Sequence, residues 1–97
     1  MTGYRSAAII CILSPLLTGQ AIADHTAEIA RGEALYIANC RECHGPTGAE
    51  GEVGDIRGLP ARVLQHATQA GIGMMPRIAL AREDVAAIAA YLAQSRE

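Results

Sequence analysis

The chain of 97 residues contains no phenylalanine, no tryptophan and no lysine, and only three tyrosines and three cysteines. Without Phe or Trp, an interior has to be filled chiefly by Ala, Ile and Leu. Such small side chains give a short domain little burial to set against chain entropy, so a staple of some kind is needed. Without lysine there is no lysine-ringed docking face. Eight arginines against ten carboxylates leave a formal net charge of −2, which argues against nucleic acid as a partner. No uninterrupted membrane span is present either. A span needs about 20 apolar residues, and the one apolar run, near the start, is shorter and broken by Pro15, Gly19 and Gln20.

That run reads as a secretory signal peptide over residues 1–23. Arg5 supplies the positive end, Ala7 to Leu17 the apolar centre, and Ala21-Ile22-Ala23 the small-residue cleavage site before Asp24. The mature domain is then 24–97, exported and without a stable membrane span. Cys11 leaves with the peptide, because Ala8-Ile9-Ile10 lacks the small residues of a lipid-attachment signal. Only Cys40 and Cys43 remain, and the motif they belong to uses both, so no structural disulfide is expected despite an oxidising compartment.

What is present is concentrated in Cys40-Arg41-Glu42-Cys43-His44. Two thiols three positions apart, followed at once by an imidazole, form the attachment pattern for c-type haem. Each thiol adds across one haem vinyl group, and the adjoining histidine lies under the ring to bind iron. Two other chemistries use a Cys-x-x-Cys pair. A structural zinc site needs two more ligands, and only His25 and His66 remain, neither paired with anything. A redox dithiol belongs at the start of a helix in a βαβ setting, and no strand pattern surrounds this one. The pattern therefore predicts one covalent haem c with its iron, held by Cys40 and Cys43, with His44 as proximal ligand. A buried porphyrin is also the staple that the composition requires.

The remaining segments read as helices and loops. Residues 26–39 are helical, with Ile29, Leu35 and Tyr36 on one face, Thr26 as N-cap and Gly32 marking a close helix crossing. Residues 45–58 hold five glycines and Pro46, which excludes a long helix. Glu50, Glu52 and Asp55 keep this loop wet, and it is placed to offer a carbonyl to the second nitrogen of His44. A second helix over 59–70 starts at Pro60 and is closed by Gly71, with His66 as a solvated surface residue. A last helix over 81–96 carries Val85, Ile88, Ala89 and Leu92 on one stripe. Between these two helices, Gly71-Ile72-Gly73-Met74-Met75-Pro76 brings a thioether to an irregular backbone. In a chain committed to haem, Met74 or Met75 is the distal iron ligand. Arg57 or Arg62 is a candidate partner for a haem propionate.

Gly32 and Tyr36, Cys40 to Gly45, Asp55-Ile56-Arg57-Gly58, Met75-Pro76 and Tyr91-Leu92 together resemble a small class I monohaem cytochrome c of the bacterial periplasm. The resemblance spans essentially all of 24–97. It implies an all-α cytochrome c fold, three to four helices wrapped around one covalently attached haem, with the first and last helices crossing at Gly32 and near Tyr91. It also implies His44 and Met75 as axial ligands, because the ligand methionine in this family commonly stands directly before proline. Many members carry proline at the position of Gly54, whose carbonyl is then expected to hold the proximal imidazole.

The function expected is periplasmic transfer of single electrons between redox partner proteins, a donor dehydrogenase or cytochrome complex and an acceptor oxidase or reductase. No acid, base or nucleophile constellation points to an enzyme. Two other readings remain: a haem subunit dedicated to a larger dehydrogenase or oxidase complex, and a haem with an open distal site that binds a gas or reacts with peroxide.

Overall fold

A computed structural model describes the backbone of residues 3–96 and the side chains of residues 21–95. Most of the expected leader, including Arg5 and Cys11, therefore lies outside the described side chains. The described residues form four helices and no strand: α1 Gly3–Asn39, α2 Arg41–His44, α3 Ala61–Ala70 and α4 Arg82–Arg96. No helix among them is long and apolar enough to cross a membrane.

Helix α1 does not begin at Thr26. It runs without interruption through Ala21-Ile22-Ala23, because adding a residue to an existing helix is cheap and nothing there breaks it. Thr26 is thus interior, and its hydroxyl donates back to the Ile22 carbonyl at 3.0 Å, as Ser and Thr do inside helices. Helix α3 keeps closer to expectation. Pro60 is its N-cap in extended geometry, and Gly71 closes it with a left-handed φ of 67° while donating to the Ala67 carbonyl at 3.0 Å. Helix α4 opens on the Ala81 carbonyl, which accepts from Asp84 at 3.0 Å and Val85 at 3.1 Å. Glu83 and Asp84 lie in its first turn, where negative charge suits the helix dipole.

The main packing is α1 against α4, with α3 resting on α4. Gly32 makes the crossing possible: a Cβ there would collide with the Ala87 carbonyl of α4. One turn on, the ring of Tyr36 meets that of Tyr91, centroids 5.7 Å apart and tilted by 47°. The expected crossing at Gly32 and near Tyr91 is therefore the observed one. At its far side, Arg31 donates to the Glu83 carbonyl at 3.1 Å and lies 3.7 Å from Asp84, an exposed pair of the kind that adds at most about 1 kcal/mol. Among the described residues the buried apolar side chains are Tyr36, Val85, Ala87, Ile88 and Leu92. This small core is what a chain without Phe or Trp builds around one tyrosine.

Candidate cofactor site

Below the end of α1 the chain makes a single helical turn, α2, that carries the Cys-x-x-Cys-His segment. The Cys40 carbonyl accepts from Cys43 at 3.3 Å and from His44 at 2.9 Å, so both thiols and the imidazole leave the turn from one short arc. Cys40 is half-buried and Cys43 exposed. Burial, and then the neighbouring Cys43 charge, push the Cys40 thiol up from its ordinary value. A working redox dithiol needs the opposite, a stabilised thiolate. No group of three or more His, Cys, Asp or Glu side chains among the described residues is placed to hold a metal ion, so the zinc reading finds no further ligands.

Gly45 ends the turn at φ 85°, and the loop then wraps the His44 side of the site. Its geometry comes from contacts that the composition did not reveal. The Tyr36 hydroxyl donates to the Gly45 carbonyl at 2.6 Å. Glu50 does not simply face water: its Oε1 accepts from the Thr47 hydroxyl at 2.7 Å, the Ala49 N–H at 2.9 Å and the Thr47 N–H at 3.2 Å. These bonds hold the Glu50 carboxyl below its ordinary range, with the Thr47 hydroxyl as first cause. The signal was in the sequence as Thr47-x-x-Glu50, the spacing of a capping box, here used to close a turn. The Ile56 N–H donates to the Gly48 carbonyl at 2.9 Å and draws the loop shut.

The Gly54 carbonyl does not hold the imidazole. Among the described residues His44 Nδ1 is buried with no hydrogen-bond partner. Gly54 is drawn into a turn by its own N–H, which donates to the Gly51 carbonyl at 2.9 Å. Gly51 takes the place beside the ring, where a Cβ would lie 3.0 Å from His44 Cα and 3.5 Å from Nδ1. Arg57 is turned onto Asp55, donating through Nε at 3.0 Å and Nη2 at 2.9 Å. Neither Arg57 nor Arg62 is among the side chains that line the cavity.

The segment 71–78 is folded back over the end of α3. The Ile78 N–H donates to the Thr68 carbonyl at 2.8 Å, and Arg77 Nε to the Gln69 carbonyl at 2.9 Å. Within it the Met75 N–H donates to the Ile72 carbonyl at 3.0 Å. Met75 is half-buried, whereas Met74 is 101% exposed. His66 is exposed, as expected.

These elements enclose a cavity of about 1000 Å3, at the top of the range of roughly 300–1,000 Å3 for ligand pockets. Cys40, Cys43 and His44 line it together with Met74 and Met75, and its walls include Ile56, Leu59, Leu64, Val85, Ile88 and Leu92. Two thiols, an imidazole and a thioether on an apolar cavity of this size are a donor set that fits haem c. Zinc would leave the aliphatic walls without a purpose.

A family model described as cytochrome c oxidase, cbb3-type, subunit III matches residues 27–92. Comparison with curated proteins and with solved structures returned no match. The matched stretch takes in the crossing at Gly32, the attachment turn, the methionine segment and the stripe of α4. The chain belongs to this family, and is a small monohaem c-type cytochrome of all-α fold that carries covalently attached haem c with its iron.

Proposed function

We propose that this cytochrome is a periplasmic carrier of single electrons, with Cys40 and Cys43 as the thioether anchors and His44 and Met75 as the axial ligands. The observation that carries the reading is the gathering of these four side chains on the wall of one apolar cavity. Bound there, haem c supplies a one-electron iron couple whose potential is raised by a thioether ligand. The chain's own residues do the rest. Cys40 and Cys43 tether from a rigid turn, and the folded-back segment 71–78 holds Met75 on the cavity wall. Valine, isoleucine and leucine side chains exclude water. Met75 is favoured over Met74 by its partial burial and by the turn bond to Ile72.

The gas-binding or peroxide-reactive reading would require Met75 to stand off the iron with a His or Arg beside it. None lines the cavity apart from His44. A second reading is favoured by the family description itself: a haem subunit of an oxidase complex. Co-purification from a native membrane extract separates a docked subunit from a diffusing carrier.

The test is a visible spectrum of the secreted protein, oxidised and reduced. A low-spin c-type spectrum that resists carbon monoxide is expected. The Cys40→Ser/Cys43→Ser protein should be colourless and largely unfolded by circular dichroism. A colourless parent, or a double variant as helical as the parent, would end the proposal.

A further inference from the structure

We propose that Tyr36 is a positioning residue for the proximal ligand, gripping the attachment segment at both of its ends. The inference rests on the reading of His44 as an axial ligand. The backbone carbonyl of Tyr36 accepts the Cys40 N–H at 2.8 Å. Its side-chain hydroxyl reaches past the motif to donate to the Gly45 carbonyl at 2.6 Å. One residue of α1 therefore brackets residues 40–44, taking hold of the first of them and of the position directly after the last.

The grip is firm because Tyr36 is itself held on all sides by the core. It is 0% exposed, it belongs to the core with Ile88 and Leu92, and its ring rests on that of Tyr91. What it holds would otherwise pivot. Gly45 has φ 85°, in the region that glycine enters freely, and it is the hinge between His44 and the wrapping loop. The imidazole's second nitrogen gives it no further hold on the protein, since Nδ1 finds no hydrogen-bond partner among the described residues. A ring without that second bond takes its direction from the backbone that carries it. That backbone is pinned upstream by the Tyr36 carbonyl and downstream by the Tyr36 hydroxyl.

A filler role is the competing account, and it predicts something different. Phenylalanine would fill the core equally well, and a buried hydroxyl is tolerated only because it finds an acceptor. The bond to Gly45, not the ring, is the part that filling leaves unexplained.

The experiment uses ferric holoprotein and electron paramagnetic resonance, whose g values follow the orientation of the axial imidazole. Tyr36→Phe should keep its helicity and covalent haem but show shifted and broadened g values. Tyr91→Phe, which keeps the ring contact and the Tyr36–Gly45 bond, should keep the parent spectrum. A Tyr36→Phe protein with parent g values and only a lowered Tm would reduce Tyr36 to a structural residue and overturn the inference. If Tyr36→Phe is not recovered as holoprotein, the Tyr91→Phe chain produced with fluorinated tyrosine decides. Its more acidic phenol at position 36 loses the donated proton at milder pH, and the g values must change across that ionisation or the inference fails. A His44→Ala holoprotein that keeps the parent spectrum would instead remove the ligand assignment, and the positioning role with it.

Discussion

Met74 and Met75 are adjacent and chemically identical, yet the fold gives them opposite surroundings. The Met75 N–H is fixed to the Ile72 carbonyl and Pro76 prevents the segment from continuing as a helix, so the two neighbours sit on an irregular backbone and differ in exposure. Met74 stands in solvent and Met75 is half-buried. Replacing Met75 by Leu is therefore expected to abolish the thioether-ligated spectrum, lower the reduction potential and admit carbon monoxide to the reduced protein. Met74→Leu should leave all three as in the parent, and a reversed result in redox titration would exchange the assignments. The sequence showed that a thioether arrives in this loop, but choosing between neighbours needed the resemblance. Side-chain direction in an irregular segment follows from hydrogen bonds such as Met75 to Ile72, which no periodicity records. His44 is a similar case: its identity as a ligand candidate was plain from the motif. The contact of Gly51 with its ring was not, because it depends on a turn seven residues further along.

At the scale of elements, the crossing of α1 and α4 is the most exacting contact. Gly32 admits the α4 backbone so closely that any side chain there meets the Ala87 carbonyl, which cannot yield without moving the helix. Gly32→Val should cost on the order of 1–3 kcal/mol or more from overpacking, with a Tm lowered by at least several degrees; thermal denaturation followed at the helical band measures it. The loop after His44 gives a pH-dependent prediction. Glu50 is depressed below its unfolded value by the bonds from Thr47 and Ala49. Its contribution is therefore present at neutral pH and is lost as pH falls through the unfolded and then the folded value. Glu50→Gln should flatten the acid limb of stability against pH, and equal acid limbs in the two proteins would refute the clamp. The helices α3 and α4 were legible almost to the residue, because Pro60, Gly71 and the Glu83-Asp84 turn punctuate them. The start of α1 was not. Thr26 carries the chemistry of a cap, but Ala21-Ile22-Ala23 before it carries the stronger preference to continue, and propagation outweighed the cap.

For the molecule as a whole, the core and the cavity wall are partly the same residues, since Val85, Ile88 and Leu92 belong to both. Folding and cofactor binding are therefore expected to be coupled, in keeping with a composition without Phe or Trp that already pointed to a staple. The same mouth has a definite electrostatic character. Besides His44, the ionisable side chains other than the two thiols that line the cavity are Glu42, Glu52 and Asp55, all acidic, and the last is bound to Arg57. With no arginine or lysine among the lining side chains to oppose them, a cationic reagent is drawn to this face and an anionic one repelled. At low salt these charges act over distances on the order of 10 Å and more, and added salt screens them. Electron exchange with a small cationic oxidant should therefore slow as ionic strength rises, while exchange with a small anionic oxidant should quicken, both read by stopped-flow absorbance. Glu42→Gln/Glu52→Gln should shrink both slopes toward zero. Slopes of the opposite sign would mean that electrons leave through some other face, one lined by the arginines.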